Sequence, residues 1–297
     1  MRIVSLVPSS TEILFALGLG DEVVAVTHEC DYPPAARELP HVTRDALPHD
    51  LTAGQIDAAV RARTDQGEAI YELDVEALHE LQPDLIVTQA LCAVCAVSFE
   101  DVRAIAEELG SQPEVISLDP RTLGEVLGDV RTLAEATGRR DAGVALVQEA
   151  AARIDRVRLA VRDRRRPRVA ALEWLDPVYV AGHWTPQLIE YAGGLDVLGM
   201  AGEHSERRSW EQVAAAEPDV VLVMPCGYDA PRAHAEALLF SDKLATLGAG
   251  EVVAVDAAGC FSRPGPRLID GLELLAHVLQ PAAIPEVAVS HPLVVEI

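Results

Sequence analysis

Basic residues are scarce in this chain. Of its 297 residues, 24 are lysine or arginine and 47 are aspartate or glutamate, a formal net charge of −23, and Lys243 is the single lysine. Such a surface repels phosphate backbones, so nucleic acid is excluded as an expected partner. Long apolar runs are missing as well: no stretch of about 18 apolar residues is there to span a bilayer, and no membrane insertion is expected. The five cysteines are an odd number, which fits reduced thiols better than a disulfide framework. No G-x-x-x-x-G-K loop, G-x-S-x-G elbow or H-E-x-x-H pair occurs, which leaves the standard hydrolase readings without support. The opening MRIVSLVPSSTEI passes into a strand with neither a basic leader nor a small-residue cleavage site. That predicts a cytoplasmic location, or an extracytoplasmic one if an export signal has been removed.

What is present is an alternation of strands and helices. Strands are expected at 2–7, 23–27, 84–88 and 114–118, then again at 168–172, 178–181, 219–224 and 251–256, with helices in most of the intervals. Such alternation predicts mostly parallel sheets. The segment 139–166 reads as one long helix, with Ala142, Leu146, Ala150, Ile154, Val157 and Val161 spaced by threes and fours. It would run on the order of 40 Å, and Pro167 stops it. After it the pattern restarts. LQPDLIVTQALC from Leu81 matches AEPDVVLVMPCG from Ala216, and EVISLDP from Glu114 matches EVVAVDA from Glu251. The expected fold is therefore α/β: two parallel-sheet lobes, 1–120 and 167–297, joined through helices in 121–166, with a ligand cleft between the lobes.

In open parallel sheets ligands bind beyond the carboxyl ends of the strands. There fall His28, Cys30, Cys92, Cys95, Glu173, Trp174, His183, Trp184, Cys226, Cys260 and Arg263. Cys92 and Cys95 form a C-x-x-C pair that would need partners to hold zinc or iron, and His28, Cys30 and Cys226 are the candidates. The other readings are a redox pair, its thiolate stabilised by the start of a helix near Ser98, and core packing of the apolar AVCAVS. If the strand continues through His28-Glu29-Cys30, His28 and Cys30 share a face; His28 is then a ligand or a hydrogen-bonded group at a strand end. Gly182-His183-Trp184 offers a platform for a flat ligand, or an aromatic packed beneath the cleft, and Glu173-Trp174 reads the same way. In 261–267 a stiff loop carries Phe261, Arg263 and Arg267. Arg263 would hold a carboxylate or amide, or pair with an acid. Ser9, Ser10 and Thr11 are expected to cap the first helix, with ligand contact as a second role.

The opening RIVSLVPSSTEILFALGLGDEVVAVTHECDYP, the LQPDLIVTQ segment, the long helix and the closing FSRPGPRLIDGLELLA resemble the metal-chelate class of solute-binding proteins. These helical-backbone binding proteins hand cobalamin, haem or siderophores to ABC importers. The resemblance runs to about Leu279, and SLVPSSTEILFALG and SRPGPRL look most like cobalamin-binding members. It implies cobalamin or a related metal chelate held between the lobes, an ABC permease as partner, and ligand contacts from Pro8, Ser9, Trp174, Trp184 and the 261–267 loop. Combined with the N-terminus, the expected function is a cytoplasmic binding protein for such a chelate. The alternatives are a metal- or thiol-dependent enzyme or metal-handling protein built on the cysteine and histidine set, and an extracytoplasmic receptor of an ABC importer.

Overall fold

The structure, a computed structural model, describes residues 1–48, 50–66, 68–89, 99–286 and 292–296. Its internal contacts group Met1–Pro120 with Glu125–Val147 into one compact unit, and Arg121–Gly124 with Gln148–Ile297 into a second.

In the first unit β1 (Ile3–Ser5), α1 (Pro8–Ala16) and β2 (Val23–Ala25) are followed by a short ribbon of β3 (Thr43–Asp45) and β4 (Tyr71–Leu73) with α2 (Ala53–Thr64) between them. Then come α3 (Val75–Leu81), β5 (Leu85–Thr88), α4 (Phe99–Glu108), β6 (Glu114–Ser117) and α5 (Leu123–Ala136). The sheet runs β2-β1-β5-β6 with every pair parallel. Its strands are apolar on both faces, as a covered parallel sheet requires. Ile3, Leu85 and Val87 pack with Ile13, Leu14 and Leu133 on one side, while Val4, Leu6 and Ile86 pack with Val102 and Leu109 on the other. Alternate residues of one strand thus serve opposite layers.

The long helix is shorter than its sequence suggests. It forms α6 (Arg140–Val161), 22 residues or roughly 33 Å, and 162–166 leave it. Its buried stripe, Val147, Ile154, Val157 and Val161, ends there, and Arg165 and Arg166 beyond it find tertiary partners. Arg166 Nε donates to the Gly194 carbonyl at 2.8 Å, and Arg165 reaches Asp219 at 3.2 Å. Within the second unit α6 is tied down by Arg153, which pairs with Asp270 at 2.6 Å and Glu273 at 2.7 Å.

The second unit contains β7 (Arg168–Leu175), β8 (Val178–Val180), α7 (Thr185–Tyr191), β9 (Leu195–Asp196), β10 (Glu206–Arg207) and α8 (Trp210–Ala215). It continues with β11 (Val220–Val223), α9 (Ala230–Leu239), α10 (Ser241–Ala245), β12 (Glu251–Ala254), α11 (Ala257–Cys260), α12 (Leu268–Leu279) and β13 (Leu293–Val294). The sheet order is β10-β8-β7-β11-β12-β13, with β9 also on β7. This sheet is mixed. β9, β7, β11 and β12 are parallel, but β8, β10 and β13 run against their neighbours. The cause lies in β7, which continues past residue 172 to Leu175 and doubles back through Asp176-Pro177 into β8. The tail supplies β13, which covers the outer edge of β12.

The repeated segments occupy matching strands: β1, β5 and β6 are neighbours in that order, as are β7, β11 and β12. The match extends to single hydrogen bonds. Asp84 accepts the Arg2 backbone N–H at 2.7 Å, and Asp219 accepts that of Arg168 at 2.9 Å. The residues two before these aspartates, Gln82 and Glu217, both take left-handed backbone angles, φ 44° and 45°. Coincidence of an uncommon conformation with the same clamp supports duplication.

Candidate functional site

At the carboxyl end of β1 the chain enters α1 at once. Val7 is the N-cap and Pro8 opens the helix, with no side-chain cap; proline suits that position because its missing N–H would be unsatisfied anyway. Ser9, Ser10 and Thr11 therefore lie inside the first turn and do not cap it. Ser9 is buried and Pro8 partly so. Ser10 and Thr11 donate back to the Val7 carbonyl at 3.0 and 3.3 Å. They also join a buried chain of neutral groups: Ser5 Oγ is 2.6 Å from Ser10 Oγ and 2.7 Å from Thr11 Oγ1. Thr11 and Thr27 hydroxyls each lie 3.1 Å from Cys30 Sγ.

The expected common face of His28 and Cys30 is absent. The strand stops at Ala25, and a turn at His28-Glu29 sends the two side chains apart. Cys30 points into the core, whereas His28 Nδ1 sits 2.8 Å from Thr43 Oγ1 and its ring 5.3 Å from that of Tyr71. Cys226, in the second unit, is exposed. Cys92 and Cys95 lie outside the described residues. Among the described residues no group of three or more His, Cys, Asp or Glu side chains is arranged to hold a metal ion.

The second unit concentrates titratable groups at the end of β7. Glu173, partly buried on that strand, accepts from Ser205 Oγ at 2.5 Å. Burial pushes its carboxyl up to about 7; the Ser205 hydrogen bond opposes the rise and the nearby Asp196 adds to it. Burial also raises Asp196, against hydrogen bonds from the Leu198 and Gly199 N–H groups. The other Asp196 oxygen, Oδ2, is buried without a partner, which adds to the cost of charging this carboxyl.

Next to this pair lies His183, with φ +53°. Its N–H donates to the Glu203 carbonyl at 2.6 Å and its own carbonyl accepts from Gly202 N–H at 2.9 Å. Gly182 permits the approach, because a Cβ there would stand 2.5 Å from backbone atoms of Glu203, His204 and Ser205. His183 Nε2 is 3.2 Å from His204 Nδ1. Burial, then His204 and Arg121, hold the His183 ring below the usual imidazole range, so it is neutral at pH 7.

The aromatics divide. Trp184 is buried and donates Nε1 to the carbonyl of Phe261, itself buried, at 2.8 Å. Both side chains are packed in the interior of the unit. Trp174 is partly exposed; its Nε1 bonds the Asp176 carbonyl at 3.1 Å and its ring meets Tyr228 edge-on at 5.6 Å. Arg263 is partly buried in the 261–267 loop, which Ser262 Oγ ties to Gly227 N–H at 3.2 Å. Asp196, His204 and Ser205 carry no motif in the sequence. The signal available was local: 193–205 combines four glycines with acids and a histidine and has little helical or strand pattern.

Two α/β units, each with parallel strands whose carboxyl ends gather polar side chains, constitute the scaffold of a solute-binding protein. A family model for periplasmic binding proteins matches residues 3–249, and the chain belongs to that family. The vitamin B12-binding protein of Vibrio cholerae serotype O1 is 25% identical over 283 residues, 94% of this chain and 89% of its own length. Among solved structures, the periplasmic vitamin B12 binding protein BtuF of Vibrio cholerae superposes with a TM-score of 0.69 at 24% identity, covering 95% of this chain and 97% of that one. The periplasmic heme-binding protein RhuT from Roseiflexus sp. RS-1 gives 0.67 at 27% identity, covering 95% and 98%. Among the described residues no helix is long and apolar enough to cross a membrane.

Proposed function

We propose that this protein is an extracytoplasmic receptor that binds a corrinoid or a related metal chelate and delivers it to an ABC permease. The observation that carries the reading is the Vibrio relative, whose similarity runs through both units and spans 94% of the chain. Periplasmic relatives support this placement over the cytoplasmic one expected from the opening residues. Trp174 gives a partly exposed aromatic face for a flat macrocycle, and Glu173, its carboxyl pushed up to about 7 by burial, can donate to amide oxygens from its protonated form. His183 and Arg263 of the second unit are the further contacts in this reading, while Trp184 and Phe261 are buried in the same unit.

Purified protein titrated with aquocobalamin, and separately with haemin, tests the reading by absorption spectroscopy. Saturation near one equivalent with shifted corrin bands is expected, and Trp174→Ala with Arg263→Ala should weaken binding about tenfold or more while the unfolding transition is kept. Saturation by haemin alone would reassign the ligand to the porphyrin class. Failure of both probes to bind would overturn the proposal.

A further inference from the structure

His183 and His204 face each other across a junction that already has its own fastenings. The reciprocal backbone hydrogen bonds of His183 with Glu203 and Gly202, and the contact of Gly182 with the backbone of 203–205, close this junction without either imidazole. Yet His183 holds a left-handed φ of +53°, a conformation in which histidine, asparagine and aspartate are enriched but still uncommon, and such residues cluster where function requires the geometry. The effect is to bring two ring nitrogens to 3.2 Å, with the rings nearly perpendicular at 85°.

We propose that His183 and His204 together chelate a divalent first-row transition ion, with Cu2+ and Zn2+ the best matched. Such ions take imidazole nitrogens at about 2.0 to 2.1 Å. Two nitrogens 3.2 Å apart then subtend roughly 100° at the metal, close to the tetrahedral angle of zinc sites. Without the ion the two rings share one N–H···N hydrogen bond. On binding, that proton moves to the far nitrogen of its own ring, so the step itself releases no net proton. His204 is exposed and His183 partly so, which gives an ion access and leaves its remaining positions to water or a small anion. Arg121, whose charge reaches His183, opposes a cation; the chain's net charge of −23 works in its favour. Metal ions alone, with no chelate present, are enough to probe this pair.

Untagged full-length protein, stripped with a chelator, is titrated calorimetrically with Zn2+ and Cu2+ in a non-coordinating buffer. One equivalent should bind, Cu2+ more tightly than Zn2+, and the ion should raise the melting temperature by linkage. His204→Ala and His183→Asn, the latter because asparagine tolerates the left-handed backbone, should each weaken binding about tenfold or more and abolish the metal-induced shift. Their metal-free melting should match that of the parent. Cys226→Ser should bind as the parent does. Absence of saturable binding, unchanged affinity in His204→Ala, or loss in Cys226→Ser would each overturn the proposal.

Discussion

At the amino end of β1 the Arg2 N–H is held by Asp84, and at the amino end of β7 the Arg168 N–H is held by Asp219, each after a left-handed residue in the same register. At the carboxyl ends the units diverge. The first meets α1 with serine, threonine and cysteine, a chain of neutral groups that satisfy one another in the core. The second lengthens its strand, turns back, and brings Asp196 and His204 of the 196–205 segment beside Glu173 and His183, assembling two carboxyls of raised pKa and a pair of imidazoles. One end of the repeat keeps the fold and the other has been free to acquire chemistry, as strand ends in parallel sheets generally are. Asp129, also pushed up to about 7 by burial with Asp119 and Glu125 adding to the rise, shows that the first unit holds a titrating acid of its own. That acid sits on α5, not at a strand end.

The largest expected effect tests how tightly the second unit's loops are closed. Gly182→Ala puts a methyl 2.5 Å from three backbone atoms on the opposing segment, and backbone cannot step aside as a side-chain tip can. A loss of about 4 kcal/mol is expected. The counterpart is Gly18, which ends α1 with φ +77° and open space around its Cβ position. Gly18→Ala meets only the conformational penalty, about 1 kcal/mol. Urea unfolding of the two variants measures the difference, and equal losses would mean that the 182–205 junction is not packed as described.

A second test concerns pH. Glu173 has a folded pKa of about 7 against 4.5 for the ordinary carboxyl, so the folded state binds its proton more tightly than the unfolded chain does. Its contribution is fully present below pH 4.5 and is lost as pH rises through 7. Partial exposure trims the full value, leaving about 2–3 kcal/mol. The parent should therefore lose that amount relative to Glu173→Gln between pH 4.5 and pH 8, measured by denaturant unfolding across the range. A gap independent of pH would remove Glu173 from the set of protonated acids.

Much of the scaffold was legible because it rests on local rules. Apolar runs such as LIVT and VVLV declare buried strands, and the spacing from Ala142 to Val161 declares a helix. The errors came where tertiary contacts override those rules. Nothing in RVAALEWL says that the strand runs through Glu173 and Trp174, because only pairing with β8 extends it. Nothing in RDRRR says that the helix has ended, since arginine is a good helix former and its partners Gly194 and Asp219 are distant in sequence. At the site, Glu173, Trp174 and His183 were readable as polar or aromatic residues near strand ends. Their partners Ser205, Asp196 and His204 were not, because only a folded loop brings them within reach.

The smallest effect bears on the shared part of the comparison. Asp84→Ala and Asp219→Ala each remove one carboxylate acceptor from the backbone N–H that starts the unit's central strand. Both sites border solvent, so the freed N–H can bond water and the cost is about 1 kcal/mol apiece. Asp219 also receives Arg165 at 3.2 Å, but that arginine is 84% exposed, and a pair so open adds at most a few tenths of a kcal/mol. The two losses should thus agree closely, with Asp219→Ala slightly the larger, and 0.5 M salt should narrow the gap by screening the arginine alone. A loss at one aspartate several times that at the other would show that the repeat preserves the shape of the clamp without its energetic role. The divergence between the two units would then reach the amino ends of their strands as well as the carboxyl ends.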